Sequence, residues 1–190
     1  MEYGQAIPFQ SFETKALIDD DNDAWIVEGF ASTYDKDLGG DVIVPGAFRK
    51  SLAAYPTPAL CWNHDFTGVP LGVVVACEER AGKGLWFKAE LPKDDQLVAD
   101  IIPKMKRGDL KGVSIGYKAI QKETRPGGRL LKEIALMEIS FCPRPMNERA
   151  QITSVKSFNP DRLDVVERAL EEFEEVTREM RSLARRVRGR

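Results

Sequence analysis

Up to about residue 155 the hydrophobic positions come in short runs, punctuated by glycine, proline and aspartate. Trp25-Ile26-Val27-Glu28-Gly29-Phe30 reads as a strand, since aromatic and β-branched side chains suit a pleated, half-buried surface. Asp37-Leu38-Gly39-Gly40-Asp41 follows as a turn, and Val42-Ile43-Val44 extends again before Pro45-Gly46. Ala47 to Tyr55 predicts a short helix, closed by Pro56 and Pro58. Leu71-Gly72-Val73-Val74-Val75-Ala76 predicts a strand. Gly82-Lys83-Gly84 then turns the chain into 85–91, where Leu85, Phe87, Ala89 and Leu91 share one face with a period of two. Asp94 or Asp95 can cap a helix that buries Val98, Ile101 and Ile102, and Pro103 is expected to end or kink it. Ser114 to Ile120 and Leu130 to Phe141 make two further strands around a polar turn, Arg125-Pro126-Gly127-Gly128. Six or so short strands with one or two helices imply a mainly β (α+β) fold: an antiparallel barrel or sandwich with peripheral helices.

The pattern changes after Asn159-Pro160, a cap followed by proline at the first helical position. Leu163, Val166, Leu170 and Phe173, then Val176, Met180, Leu183 and Val187, form a narrow helical stripe. Positions 161–175 are strongly acidic and 176–190 strongly basic, which suits a helix dipole. Two readings stand: a solvated helix held by its own charge pairs, or a stripe that pairs with a helix of another subunit or protein. The organisation implied is a globular domain over 1–155 and a helical extension over 161–190.

Composition narrows the function classes. A net charge of −2 over 190 residues does not mark a general nucleic-acid binder. No run of 18 apolar residues exists, so no transmembrane helix is expected, and the first residues lack the basic start and apolar stretch of a signal peptide. The protein is therefore expected to stay in the cytoplasm where it is made. Cys61, Cys77 and Cys142 form no CxxC and are expected to be reduced, buried thiols. With one histidine and scattered cysteines, no metal or other cofactor is implied.

Three residues carry the candidate chemistry. His64, the only histidine, lies in Trp62-Asn63-His64-Asp65 and is the one side chain whose ordinary pKa, about 6.5, suits general base work at neutral pH. Ser114 lies in Gly112-Val113-Ser114-Ile115-Gly116, where small neighbours would let a substrate backbone approach the hydroxyl. This matches G-x-S-x-G, but an α/β-hydrolase needs its histidine after the serine, and none follows here. A serine nucleophile on another scaffold survives that objection, beside the plainer reading of a small residue at a strand start. Glu138 sits in Ile134-Ala135-Leu136-Met137-Glu138-Ile139-Ser140-Phe141, on one face with Ile134, Leu136 and Ser140. A carboxylate in so apolar a strand needs a partner, either a histidine N–H or a structural Arg or Lys. Glu133, next to Lys132 at the polar start of that strand, is expected to be solvated. A cysteine nucleophile, Cys61 or Cys142, is disfavoured: in an extended strand Cys61 and His64 point to opposite faces, and nothing near Cys142 activates it.

Glu28-Gly29-Phe30-Ala31, Gly40-Asp41 with Pro45-Gly46-Ala47-Phe48, Trp62-Asn63-His64-Asp65, Gly112 to Tyr117 and Met137 to Pro143 occur in this order. Together they resemble the prohead (capsid maturation) protease family of tailed bacteriophages, related to herpesvirus assemblin, over roughly 25–155. The resemblance implies an assemblin-like antiparallel Greek-key-type barrel with peripheral helices, so that 1–155 would be the protease domain. It also implies a serine endopeptidase, packaged inside the procapsid in the host cytoplasm. Its substrates would be the scaffold protein or the scaffolding segment of the major capsid protein, and often itself. Assemblin pairs its serine with two histidines. With one histidine here, the phage pattern places a carboxylate third, at Glu138, giving a catalytic set of His64, Ser114 and Glu138. Backbone N–H groups near Pro143-Arg144-Pro145 are candidate oxyanion donors. The extension over 161–190 lies beyond the resemblance and could join copies of the chain as a homo-oligomer. The rival from another class is a non-enzymatic capsid-assembly or scaffold-binding protein, which the extension alone would suit. No nucleic-acid or membrane partner is expected.

Overall fold

The structure is a computed structural model and describes residues 24–158. It is mainly β. The elements are β1 (Ala24–Thr33), β2 (Val42–Ile43), α1 (Arg49–Ala54), β3 (Ala59–Trp62), β4 (Val73–Arg80), β5 (Gly84–Pro92), α2 (Gln96–Arg107), β6 (Val113–Arg125), β7 (Gly128–Phe141) and β8 (Ile152–Phe158). The expected extension over 161–190 lies outside the described residues.

The alternating pattern of β5 does what it predicts: Leu85, Phe87, Ala89 and Leu91 are all fully buried. β5 pairs antiparallel with β1 on one side and β4 on the other, and β8 completes the sheet in the order β4-β5-β1-β8. Leu71, expected in a strand with 72–76, instead donates its N–H to Leu60 of β3 at 2.9 Å, and β4 begins at Val73. Asp95 caps α2 by accepting from the Val98 N–H at 2.9 Å, and Val98, Ile101, Ile102 and Met105 turn into the core. Pro103 does not end this helix, which runs to Arg107. A proline removes one donor, whereas stopping there would forfeit the buried Met105 and the left-handed cap at Gly108.

The second sheet is built around β7. The β6–β7 hairpin closes through Pro126-Gly127 with Arg125 opposite Gly128, as the turn signal predicts. On its other edge β7 takes two short strands, both parallel to it: β2 at Leu130 and Leu131, and β3 from Glu138 to Phe141. The two sheets meet through Phe87 and Phe141, with ring centroids 6.0 Å apart. They also join at a corner where Gly112 bridges Gln151 and Val113 N–H donates to Ala150 O at 3.0 Å. The expected antiparallel Greek-key-type barrel is thus corrected in two respects. Among the described residues the hydrogen-bonded sheets do not close into one barrel, and β2 and β3 run parallel to β7. Strands this short carry no long alternation, so their partner and direction are fixed by tertiary contacts.

Candidate active site

Register fixes most of the site. Residues directly opposite in an antiparallel pair share a face. Ser114 of β6 is opposite Ser140 of β7, and Gly116 is opposite Glu138. Ser114, Ser140 and Glu138 therefore lie on one face at the C-terminal end of β7. On the other edge, β3 ends at Trp62, opposite Phe141. Asn63 then donates to Phe141 O at 2.9 Å, and Asp65 N–H to Trp62 O at 3.0 Å. Between them Asn63 and His64 are both left-handed, with φ of 49° and 62°. That pair of residues breaks the strand and brings the His64 ring back over the Glu138 face. Left-handed backbone is uncommon for residues other than glycine, with asparagine and histidine enriched in it.

His64 Nδ1 and Glu138 Oε1 are 2.6 Å apart. The carboxylate can only accept, so Nδ1 carries the proton and Nε2 is the ring nitrogen left for proton transfer. The Glu138 side chain is fully buried, while that of His64 is 39% exposed. The other carboxylate oxygen, Oε2, accepts from the Ser140 hydroxyl at 2.5 Å, and Ser140 Oγ in turn accepts the His64 main-chain N–H at 3.0 Å. The buried acid is thereby satisfied by histidine and serine, with no arginine or lysine. Glu133, expected to be solvated, pairs instead with Lys50 of α1 at 2.8 Å, on the surface.

Ser114 and His64 both line a cleft of about 610 Å³. No hydrogen bond joins the two side chains among the described residues. Contacts of this kind are often long until substrate closes the site. The cleft also takes in Asp41, Tyr117 and Arg129. Arg129 forks onto Asp41 through Nε at 2.8 Å and through Nη2, and Tyr117 donates to Asp41 at 3.1 Å. The Arg129 hydrogen bond holds the Asp41 carboxyl below its ordinary range. Burial, reinforced by the Asp41 charge, pushes the Tyr117 phenol up to about 12. At neutral pH this wall is therefore a fixed ion pair with a neutral phenol.

The glycines around Ser114 have another role than the one expected. A Cβ on Gly112 would lie 2.4 Å from Cys142 O, and one on Gly116 would lie 2.6 Å from Glu138 Oε1. They make room for the protein's own backbone and acid. The three thiols are free; Cys61 and Cys142 are buried as expected, whereas Cys77 is only half-buried. Burial, then the Glu138 and Asp65 charges, raise the Cys61 thiol, and burial raises that of Cys142. Both thus favour the protonated, unreactive form, a better reason to set them aside than strand parity, because the chain leaves strand geometry at Asn63. In Pro143-Arg144-Pro145 only Arg144 has an amide N–H, and it partly offsets the rise that burial gives the Cys142 thiol. Among the described residues no group of His, Cys, Asp or Glu is placed to hold a metal ion. No described helix is long and apolar enough to cross a membrane.

A family profile described as caudovirus prohead serine protease matches residues 10–163. The chain belongs to this family. The prohead protease of Enterobacteria phage HK97 is 35% identical over 150 residues, covering 76% of this chain and 66% of that protein. A capsid polyprotein of Pseudomonas phage PAJU2 is 30% identical over 159 residues, 80% of this chain and 22% of the polyprotein. The match thus spans just under two thirds of the HK97 protein and a minor part of the polyprotein. Among solved structures, the KSHV protease bound to a hexapeptide phosphonate inhibitor is similar, with a TM-score of 0.44 at 9% identity, over 68% of this chain and 64% of that one.

Proposed function

We propose that this prohead-protease family member is a serine endopeptidase of procapsid maturation that uses Ser114, His64 and Glu138. What carries the assignment is the 2.6 Å bond from the half-exposed His64 ring to a fully buried carboxylate, beside a cleft that Ser114 also lines. Ser114 Oγ attacks the scissile carbonyl while His64 Nε2 takes its proton. Collapse of the tetrahedral intermediate gives the acyl-enzyme, and the imidazolium protonates the departing amine. Water then attacks the acyl-enzyme with His64 again as base. Throughout, Glu138 holds the ring in the Nδ1–H tautomer and offsets its positive charge.

The substrate is proposed to be the scaffold protein or the scaffolding segment of the major capsid protein, with self-cleavage, inside the procapsid in the host cytoplasm. A relative that is itself a capsid polyprotein supports a capsid-protein substrate. Residues 161–190 are proposed, from their apolar stripe and split charge, to recruit the enzyme or join its copies. The test is co-expression with the cognate capsid protein, read by intact mass. Wild type should shorten the capsid protein at a defined bond. Ser114→Ala and His64→Ala should leave it whole. Processing by a contaminant-free Ser114→Ala protein would exclude this nucleophile.

A further inference from the structure

We propose that Ser140 is a positioning residue of this site, one hydroxyl that sets the acid and the base against each other. The inference rests on the assignment of Ser114, His64 and Glu138. Three observations carry it. First, the Glu138 side chain is fully buried, and its two oxygens have separate donors: His64 Nδ1 on Oε1 and the Ser140 hydroxyl on Oε2. Without Ser140 the carboxyl would turn about its last bond to find a second donor, and Oε1 would leave the ring, because an unpaired buried carboxylate oxygen is costly.

Second, the same Oγ accepts the His64 main-chain N–H at 3.0 Å. That N–H belongs to a residue with φ of 62°, and a left-handed residue other than glycine persists when its surroundings over-determine it. Third, Ser140 is directly opposite Ser114 in the β6–β7 register and two positions from Glu138 on the same face. The hydroxyl therefore stands where nucleophile strand, acid and base meet. Serine is the smallest side chain that donates and accepts at once, and the position is fully buried.

Two measurements on the full chain test this. One is the rate of Ser114 labelling by a fluorophosphonate, separated into a maximal rate and an apparent affinity. The other is the NMR spectrum of the imidazole, unambiguous because His64 is the only histidine, read at the downfield Nδ1 proton. Ser140→Ala should lower the maximal labelling rate about 10- to 100-fold, the range for losing a hydrogen bond to a charged group. The apparent affinity should stay within about twofold on the same grounds, and the Nδ1 proton should move upfield or broaden.

The control is Ser51→Ala. Ser51 is another buried serine bonded to β7, accepting the Leu136 N–H at 2.8 Å, so its loss should cost stability and leave both readouts unchanged. Should Ser140→Ala fail to fold, Ser140→Cys, close in size with a weaker donor, carries the same expectations. Wild-type labelling and an unmoved Nδ1 proton in the folded Ser140 variant would overturn the proposal. So would equal losses in Ser51→Ala. Failure of the protease assignment is a separate result, no labelling of wild type at Ser114. The Nδ1 proton alone then decides on Ser140, and an unmoved signal refutes it.

Discussion

Gly116→Ala is the substitution that interrogates the site most sharply without touching a reacting group. The new Cβ would lie 2.6 Å from Glu138 Oε1, 2.9 Å from its Cγ and 3.0 Å from Phe66 Cζ. Ordinary contact between such atoms is about 3.5 Å, so the carboxyl must retreat by most of an ångström or the strands must part. Either movement lengthens the 2.6 Å bond to His64 Nδ1. A misplacement of about 1 Å can cost about 100-fold in rate, and overpacking a filled site costs about 1–3 kcal/mol of stability. Gly82→Ala is the matched control. Its φ of 71° makes alanine unwelcome, but a Cβ there meets nothing within 4 Å. It should lose about 1–2 kcal/mol for the left-handed backbone and keep full activity. Thermal unfolding and Ser114 labelling, run on both variants, separate the two effects. A folded Gly116→Ala protein with the wild-type labelling rate would show that the acid either does not move or does not matter.

Further expectations concern the acid, the cleft wall and the C-terminal extension. Glu138→Gln should lose up to about 10⁴-fold in cleavage rate. Glu133→Gln, which gives up only a surface pair with Lys50, should change rate little and stability by at most about 1 kcal/mol; the opposite ranking in the same assay would move the acid elsewhere. Asp41→Asn should destabilise the fold by about 1–3 kcal/mol at neutral pH, since it removes a charged acceptor from Arg129 and Tyr117. Because Asp41 titrates below its unfolded value, its stabilisation is complete above about pH 4 and fades as pH falls through the lowered value. Unfolding curves of the two proteins should therefore converge in acid, and a gap independent of pH would argue against the ion pair. Truncation after Ser157 should spare Ser114 labelling while reducing self-association or procapsid incorporation, measured by sedimentation and by packaging counts; unchanged association and packaging would leave a solvated extension.

Much of the fold was written in local pattern. β5 shows in the sequence because it buries alternate side chains, β1 and β7 because apolar residues fill most of their buried positions, and α2 because Asp95 and its apolar stripe agree. β3 does not show, since Ala59-Leu60-Cys61-Trp62 is too short to display a period. Nor does β8, whose residues are half-buried or exposed along its length. Their pairing to β7 and β1 is a tertiary fact. His64 and Glu138 stood out because a lone imidazole and a carboxylate in an apolar strand each call for a partner, and they are indeed hydrogen-bonded. Ser140 did not stand out, although its place two residues along the same face was visible. A small hydroxyl among apolar neighbours carries no signal until its bonding is seen. Gly112 and Gly116 drew notice as open space for a substrate, because a sequence does not say which backbone passes close by.

The central place of β7 sets a timetable for the nascent chain. By the time β6 has left the ribosome, both His64 and Ser114 exist, yet the acid 74 residues beyond His64 does not. Nor does the strand that β2, β3 and β6 all need as a neighbour. A domain folds as a unit once its sequence is available, so an incomplete chain holds a serine and a histidine with nothing to orient them. On the proposed assignment, latency during synthesis would be built into strand order, and hydrolytic competence would arrive only once β7 is made.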